Sequence, residues 1–278
     1  MAQSYEDRLI RVVTYIHDHL DGDLSLDALA DVAALSRFHF HRVWTGMTGE
    51  TLAQTTRRIR LYRAAVALVQ EPGDLSSIAA QCGYRDQSAF TRAFRETFGI
   101  TPGVYRARAR AVPPLRAKTG KSDKMYDVDI RMSDSKRIAG IMHKGDYMTI
   151  SQAFETASAT MAARDGFAQT RGMVGLYWDD ARSKPKDELR SCAGFIVSDE
   201  FIISPPFEQV DLPGGRVAVL TFRGAYTGLQ GAYDFLFGDW LQSSGAVPRD
   251  VPCLELYVNS PADVPPQDLV TEIHLALE

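Results

Sequence analysis

Apolar positions recur at helical spacing through the first hundred residues and change to a two-residue alternation beyond residue 125. Residues 4–20 set Leu9, Val13, Ile16 and Leu20 on one helix face, and Asp21-Gly22-Asp23 closes it. Ser25 is placed to cap a helix from Leu26 to Ala34, and Ser36 to cap the next, which buries Phe40, Val43, Trp44 and Met47. One long helix follows from Glu50 to Gln70, its apolar side marked by Leu52, Ile59, Tyr62, Val66 and Val69. A short helix over Leu75–Cys82, a turn at Gly83-Tyr84-Arg85-Asp86 and a helix from Gln87 to about Phe98 complete the series. Gly83 suits a reversing helix end, because glycine takes positive φ without a Cβ clash.

The outer faces of two of these helices carry candidate DNA contacts. On the first are Arg37, Phe38, His41 and Arg42, where Phe38 reads as pressing on a thymine methyl or packing on the first helix, and His41 as a base contact or a solvated histidine. On the second are Gln87, Ser88, Thr91, Arg92 and Arg95, which hydrogen-bond base edges and phosphates. The two units align, with Ala30 over Ala79 and Phe40, Trp44 and Gly49 over Phe90, Phe94 and Gly99. Arg57, Arg58, Arg60 and Arg63 lie on the other faces of the helix between them, where they read as DNA-backbone contacts or as a solvated basic face. Residues 107–124 are rich in Ala, Pro and Lys/Arg without an apolar period and read as a linker. A doubled helix-turn-helix of this kind, closing on Gly83-Tyr-x-Asp-Gln-Ser-x-Phe-x-Arg-x-Phe and Gly99-x-x-Pro-x-x-Tyr-Arg106, resembles the AraC/XylS family DNA-binding domain. The resemblance implies double-stranded DNA as partner, recognition helices in successive major grooves about 34 Å apart, and contact with RNA polymerase.

The remainder repeats internally at an offset of 79 residues: Arg137-Ile138-Ala139 matches Arg216-Val217-Ala218, and Gly145-Asp146-Tyr147 matches Gly224-Ala225-Tyr226. Each copy reads strand, Gly-x-Tyr turn, helix, strand, with helices at about Ile150–Arg164 and Leu229–Ser243. Two copies predict a pseudo-twofold α+β domain with one sheet and its helices on one side. Cys253, Glu255 and Tyr257 share one face of the strand CLELYV, so an acid stands among apolar neighbours. At the repeat offset its counterpart is Leu176, and that of Tyr257 is Trp178. A buried carboxylate needs a partner, a proton or a cation, and Arg223 is one internal candidate. Aromatic rings around one carboxylate suit a lipophilic cation, with Tyr147, Trp178, Tyr226, Trp240 and Tyr257 as candidate walls.

Arg-Gly-x-Tyr at 223–226, Trp240 and Cys253-Leu-Glu-Leu-Tyr-Val-Asn259 resemble the GyrI-like (SHS2-type) effector-binding domain. That resemblance implies a small hydrophobic, cationic effector held by Glu255. The organisation expected is therefore a DNA-binding domain over 1–110, a linker over 111–125 and a ligand-binding domain over 126–278. Its expected function is ligand-responsive transcription regulation, without a cofactor and without enzymatic activity. The alternative is a hydrolase of cyclopropane-bearing electrophiles, with Glu255 as general base and Tyr257 or Tyr147 polarising the substrate.

Charge supports the division of labour. Residues 1–124 carry a net +5 and residues 125–278 a net −9, within a total of −4 over 278 residues. A basic half attracts phosphate and an acidic half favours cations. Cys82, Cys192 and Cys253 show no paired spacing, which fits a reducing cytoplasm. No apolar run approaches the roughly 20 residues a membrane span requires, and no signal-peptide layout opens the chain. The pairs His17/His19 and His39/His41 point to different helix faces and do not form a metal site.

Overall fold

The computed structural model describes residues 4–110, 126–181 and 184–278. The expected linker, 111–125, lies outside the described residues. Seven helices form the first part: α1 Tyr5–Asp18, α2 Leu26–Ala33, α3 Arg37–Thr48, α4 Leu52–Gln70, α5 Leu75–Gln81, α6 Gln87–Phe98 and α7 Pro102–Arg110. Capping chemistry sets most of their starts. Ser4, Ser25, Ser36, Thr51, Asp74 and Asp86 each accept a backbone N–H from the adjoining first turn. The helix α7 lies beyond the elements that periodicity predicts; its Tyr105 packs edge-on to Phe94 and Phe98 of α6, both rings at 5.3 Å.

Two cores divide this part. Leu9, Ile16, Leu29, Phe40 and Trp44 gather around α1–α3, and Leu61, Leu68, Ile78, Phe90 and Phe94 around α4–α6. The helix α4 contributes to both, so it sets the spacing of α3 and α6. The two turns solve one geometric problem differently. Gly83 has φ of 74°, and a Cβ there would stand 2.3 Å from the Leu20 carbonyl oxygen. Its partner in the first unit is Ala34, which occupies the left-handed region at φ of 52° with a Cβ in place. Arg8 donates to the Ala33 and Ala34 carbonyls and holds this end of α2. Ala34→Gly is expected to raise stability by about 0.5–1 kcal/mol, the left-handed strain exceeding glycine's extra chain entropy. A urea midpoint unchanged or lowered in that variant contradicts the strain.

The second part is one eight-stranded antiparallel sheet in the order β1-β6-β8-β7-β3-β4-β2-β5. Its strands are β1 Val128–Ser133, β2 Lys136–Lys144, β3 Thr170–Tyr177, β4 Arg190–Val197, β5 Glu208–Leu212, β6 Gly215–Arg223, β7 Cys253–Tyr257 and β8 Val270–Ala276. The helix α8, Ser151–Ala163, follows β2 after a 3-10 turn at Tyr147–Thr149. A matching turn at Tyr226–Gly228 leads into α9 Leu229–Phe235, a π-helical stretch Leu236–Trp240 and α10 Leu241–Ser244. Both helical segments cover the Glu255 face. Along one register line Ala193, Gly175, Glu255, Ile273 and Leu220 stand side by side. Ala193 packs under α8, and Ile273 and Leu220 under α9.

Register corrects the expected repeat alignment. Gly175 lies opposite Glu255 and Leu176 opposite Leu254, so Leu176 points to the other face, among Ile138, Val174 and Cys192. The second half of each copy aligns one residue further on, with Gly175-Leu176-Tyr177 over Glu255-Leu256-Tyr257. The counterpart of Tyr257 is then Tyr177, not Trp178.

The two parts are docked on each other. The helix α8 lies along α1, and its Ala159 is buried in the same core as Leu9 and Trp44. Arg164, the residue that ends α8, forms a bidentate pair with Glu6 of α1 at 2.7 and 2.9 Å. Arg58 of α4 bonds Glu50 at 2.8 Å and Glu155 of α8 at 2.6 Å.

Candidate functional site

The first candidate surface is the pair of helices α3 and α6. Arg37, His41 and Arg42 are exposed on α3, and Phe38 lies between them in sequence, its side chain outside the described residues. Arg37 reaches Asp27 at 3.4 Å across the turn. On α6, Gln87, Ser88, Thr91, Arg92 and Arg95 line one shallow depression together with Glu96 and Thr101. Phe90, Phe94 and Phe98 anchor the opposite side of that helix. Asp86 bonds the Ser88 and Ala89 amides, which holds its carboxyl below the usual carboxylate range and fixes the start of the exposed face.

The arginines of α4 are not a uniform basic face. Arg60 donates to the Leu20 and Gly22 carbonyls, Arg57 pairs with Glu96, and Arg58 is the hub between Glu50 and Glu155. The expectation of DNA-backbone contact or a solvated face fails for Arg58 and Arg60, because helix ends and carboxylates already occupy their donors. Arg63 remains exposed.

The second candidate is a cavity of about 1150 Å³ between the sheet, α8, α9 and the underside of α4. Glu255 stands on its floor, 4% exposed, on a central strand. Tyr233 of α9 donates to Oε1 at 2.9 Å and Tyr257 to Oε2 at 2.7 Å. Tyr177 and Tyr257 bond to each other through their hydroxyls at 2.9 Å. Burial pushes the Glu255 carboxyl up from 4.5 to about 7, and the tyrosine hydrogen bonds oppose the shift without cancelling it. Burial likewise holds Tyr177, Tyr233 and Tyr257 well above the ordinary phenol range, so they remain donors.

Rings surround this carboxylate. Phe154 and Tyr226 stand edge-on to Tyr257 at 5.2 and 5.3 Å, and Tyr147 edge-on to Tyr177 at 4.9 Å. The Tyr147 hydroxyl donates to the Asp179 and Arg190 carbonyls and accepts from the Asp179 amide, so its ring is the part available to the cavity. Trp178 lines the cavity and also packs on the cluster beneath the far face of the sheet. The structure brings Glu255, Tyr257, Tyr147, Tyr226 and Trp178 together. It does not bring Trp240, which packs in the core with Leu220, Leu236 and Ile273 and is not among the residues lining the cavity. Its position ends the π-helical stretch. One extra residue in a turn rotates the next residues by roughly 100° relative to a continuous α-helix. Arg223, the internal alternative as a partner for Glu255, is exposed and does not line the cavity; phenols occupy both carboxylate oxygens instead.

Two floor residues, Tyr177 and Tyr233, are absent from the sequence-based site, as are the contributions of Arg58 and Tyr62 from the helical part. A signal exists for the first two. Tyr177 pairs with Tyr257 once the alignment slips by one residue, and Tyr233 is the repeat counterpart of Phe154. Nothing in the pattern announces that α4 roofs the cavity. Among the described residues no group of three His, Cys, Asp or Glu side chains forms a metal site, and no helix is long and apolar enough to cross a membrane.

Comparison with known proteins gives two domain matches. A GyrI-like small molecule binding domain matches residues 126–278, and a helix-turn-helix domain matches residues 29–108. Right origin-binding protein of Escherichia coli (strain K12) is 37% identical over 110 residues, 38% of this chain and 38% of that protein. Regulatory protein SoxS of Salmonella typhimurium is 32% identical over 105 residues, which span 38% of this chain and 98% of that protein. The solved DNA-binding domain of AdpA, in complex with a target DNA, is similar at 31% identity and a TM-score of 0.36, covering 37% of this chain and 94% of that one. The chain thus spans well under half the length of Right origin-binding protein.

Proposed function

The chain belongs to the AraC-type helix-turn-helix transcription regulators and carries a GyrI-like small molecule binding domain, and on that premise we propose that it is a one-component regulator responding to a lipophilic cation. Residues 1–110 form the reading unit and 126–278 the effector unit, joined by 111–125. The single observation that carries the effector class is Glu255: a carboxylate at 4% exposure, on the floor of a ring-lined cavity, with no basic side chain among the described residues bonded to it. A cation entering over Tyr257 and Tyr226 supplies the missing charge while the rings stabilise its apolar surface. Tyr147 and Trp178 complete the walls. Both oxygens of Glu255 already accept phenol hydrogen bonds, which favours holding a charge over activating a water as a hydrolase would.

On the DNA side, α3 and α6 enter successive major grooves, with Arg37, Phe38, His41 and Arg42 reading from the first helix. Gln87, Ser88, Thr91, Arg92 and Arg95 read from the second. This assignment is supported by the exposure of Arg37, His41, Arg42, Gln87, Ser88, Arg92 and Arg95, and by the burial of Phe40 and Trp44 on α3 and of Phe90, Phe94 and Phe98 on α6. The test is binding to duplexes selected by the wild-type chain from a random pool, at several salt concentrations. Arg42→Ala and Arg92→Ala are each expected to cost about 1–3 kcal/mol and to relax the preference at particular base pairs. Wild-type affinity and wild-type preference in both variants reject the reading faces.

A further inference from the structure

Tyr62 of α4 and Tyr226 of the sheet part face each other across the seam between the two parts, their ring centroids 6.4 Å apart and their planes at 46°. Both line the cavity, both hydroxyl oxygens are buried, and neither has a hydrogen-bond partner among the described residues. Elsewhere in the cavity the phenols are committed: Tyr147 to two carbonyls, Tyr233 and Tyr257 to Glu255, Tyr177 to Tyr257. Arg58, the nearest cation on α4, spends its donors on Glu50 and Glu155. Among the described residues these two phenol hydroxyls are free donors above the carboxylate, and His17 Nε2, on the α1 side of the lining, is the other buried polar atom there without a partner. The two phenols stand along an unbroken row of rings, Tyr257 to Tyr226 at 5.3 Å and Tyr226 to Tyr62, which begins at Glu255.

From this pair, and resting on the cation reading above, we propose that the effector is a lipophilic cation bearing a neutral hydrogen-bond acceptor, a carbonyl or ether oxygen, at the end remote from its charge. The cation sits over Glu255, and the acceptor takes hydrogen bonds from Tyr226 and Tyr62. Burial holds both hydroxyls above the ordinary phenol range, so they donate and do not compete as anions. The acceptor then discriminates among cations of equal size, because a purely apolar ligand leaves two buried donors unpaired. Tyr62 makes this selectivity a property of both halves: a residue on the helix that spaces the recognition helices is part of the effector site. The same ring continues the row to Phe98, at 5.5 Å, and Phe98 stacks on Phe94 at 4.3 Å in the buried side of α6.

The test uses the full chain and calorimetric titration with a matched pair of probes, (4-acetylphenyl)triphenylphosphonium and its isopropenyl counterpart, which has the same shape without the carbonyl. The acetyl probe is expected to bind about fivefold to tenfold more tightly, the worth of one net hydrogen bond. Tyr62→Phe and Tyr226→Phe keep the rings and remove the donors. Each is expected to shrink that preference, and the double variant to abolish it, partly through tighter binding of the isopropenyl probe, whose complex no longer leaves donors unpaired. Equal binding of the two probes to the wild type, or a preference that survives the double variant, overturns the proposed acceptor. Failure of both probes to bind overturns the cation reading itself, and this inference with it.

Discussion

Arg58→Ala is expected to cost roughly 2–3 kcal/mol of stability, somewhat less than breaking a fully buried ion pair costs. Arg58, Glu50 and Glu155 are 21%, 17% and 19% exposed in their side chains, so water screens them only in part. Burial works against the guanidinium's charge, but the two carboxylates dominate and keep Arg58 protonated. Removing it leaves two acids facing each other across the seam between α4 and α8. That repulsion acts on docking as well as on folding. The variant is expected to show a lower urea midpoint and a larger radius of gyration in solution scattering. Adding Glu50→Gln and Glu155→Gln to the same chain should restore most of the loss, because the repulsion goes with the charges. An Arg58→Ala chain as stable and as compact as wild type contradicts the role of this triad.

The second large effect belongs to Glu255, and it runs in opposite directions for stability and for binding. Its carboxyl lies at about 7 in the folded chain against 4.5 in the unfolded one. The folded state therefore holds its proton more tightly, and stability from this group is complete below pH 4.5 and lost as pH rises through 7. Over that window the loss is of order 3 kcal/mol, since each tenfold change in proton affinity is worth about 1.4 kcal/mol. Glu255→Gln keeps the shape and removes the titration. At pH 8 the variant is expected to be more stable than wild type, by about 1–3 kcal/mol once one unfavourable phenol–amide geometry is allowed for. At pH 4.5 that advantage should be gone, leaving the variant level with wild type or below it by the cost of the phenol–amide geometry. Cation affinity follows the ionised form, so it falls about tenfold for each pH unit below the folded value, and the variant should lose that dependence. Wild-type stability that rises from pH 5 to pH 8 relative to Glu255→Gln excludes a raised carboxyl.

Local rules make the helical part legible. Ser25, Ser36 and Gly83 mark helix boundaries because capping and positive φ depend on neighbours in sequence, and the starts of α2 and α3 and the end of α5 fall where those residues place them. The helix α7 begins at Pro102 inside the closing motif, too short and too rich in arginine to show an apolar period. In the sheet, Glu255 is legible from a two-residue alternation. Its surroundings are not, because partners across a sheet depend on register, and one extra residue before β7 moves every counterpart to the opposite face. Leu176 and Trp178 thereby stand in the expected site where the fold puts Gly175 and Tyr177. The strands β1, β4, β5 and β8 leave little mark in a repeat that shows itself through its turns and helices. Residue type alone points Trp240 to the cavity, and the π-helical turn before it rotates it into the core. Docking leaves almost no trace in the pattern. Ala153 and Ala157 face the sheet and Ala159 the core around α1, and only the fold shows α1 lying against that helix.

Calorimetric titration of the full chain with tetraphenylphosphonium at pH 8 and pH 6, beside Glu255→Gln, tests the central claim most directly. The account predicts saturable binding to the wild type at pH 8, weakened about tenfold at pH 6 as the carboxylate takes up its proton. It also predicts that the variant binds weakly and equally at the two pH values. Binding indifferent to both pH and the substitution would place the cation away from Glu255, and the cavity would then have no part in choosing an effector by charge.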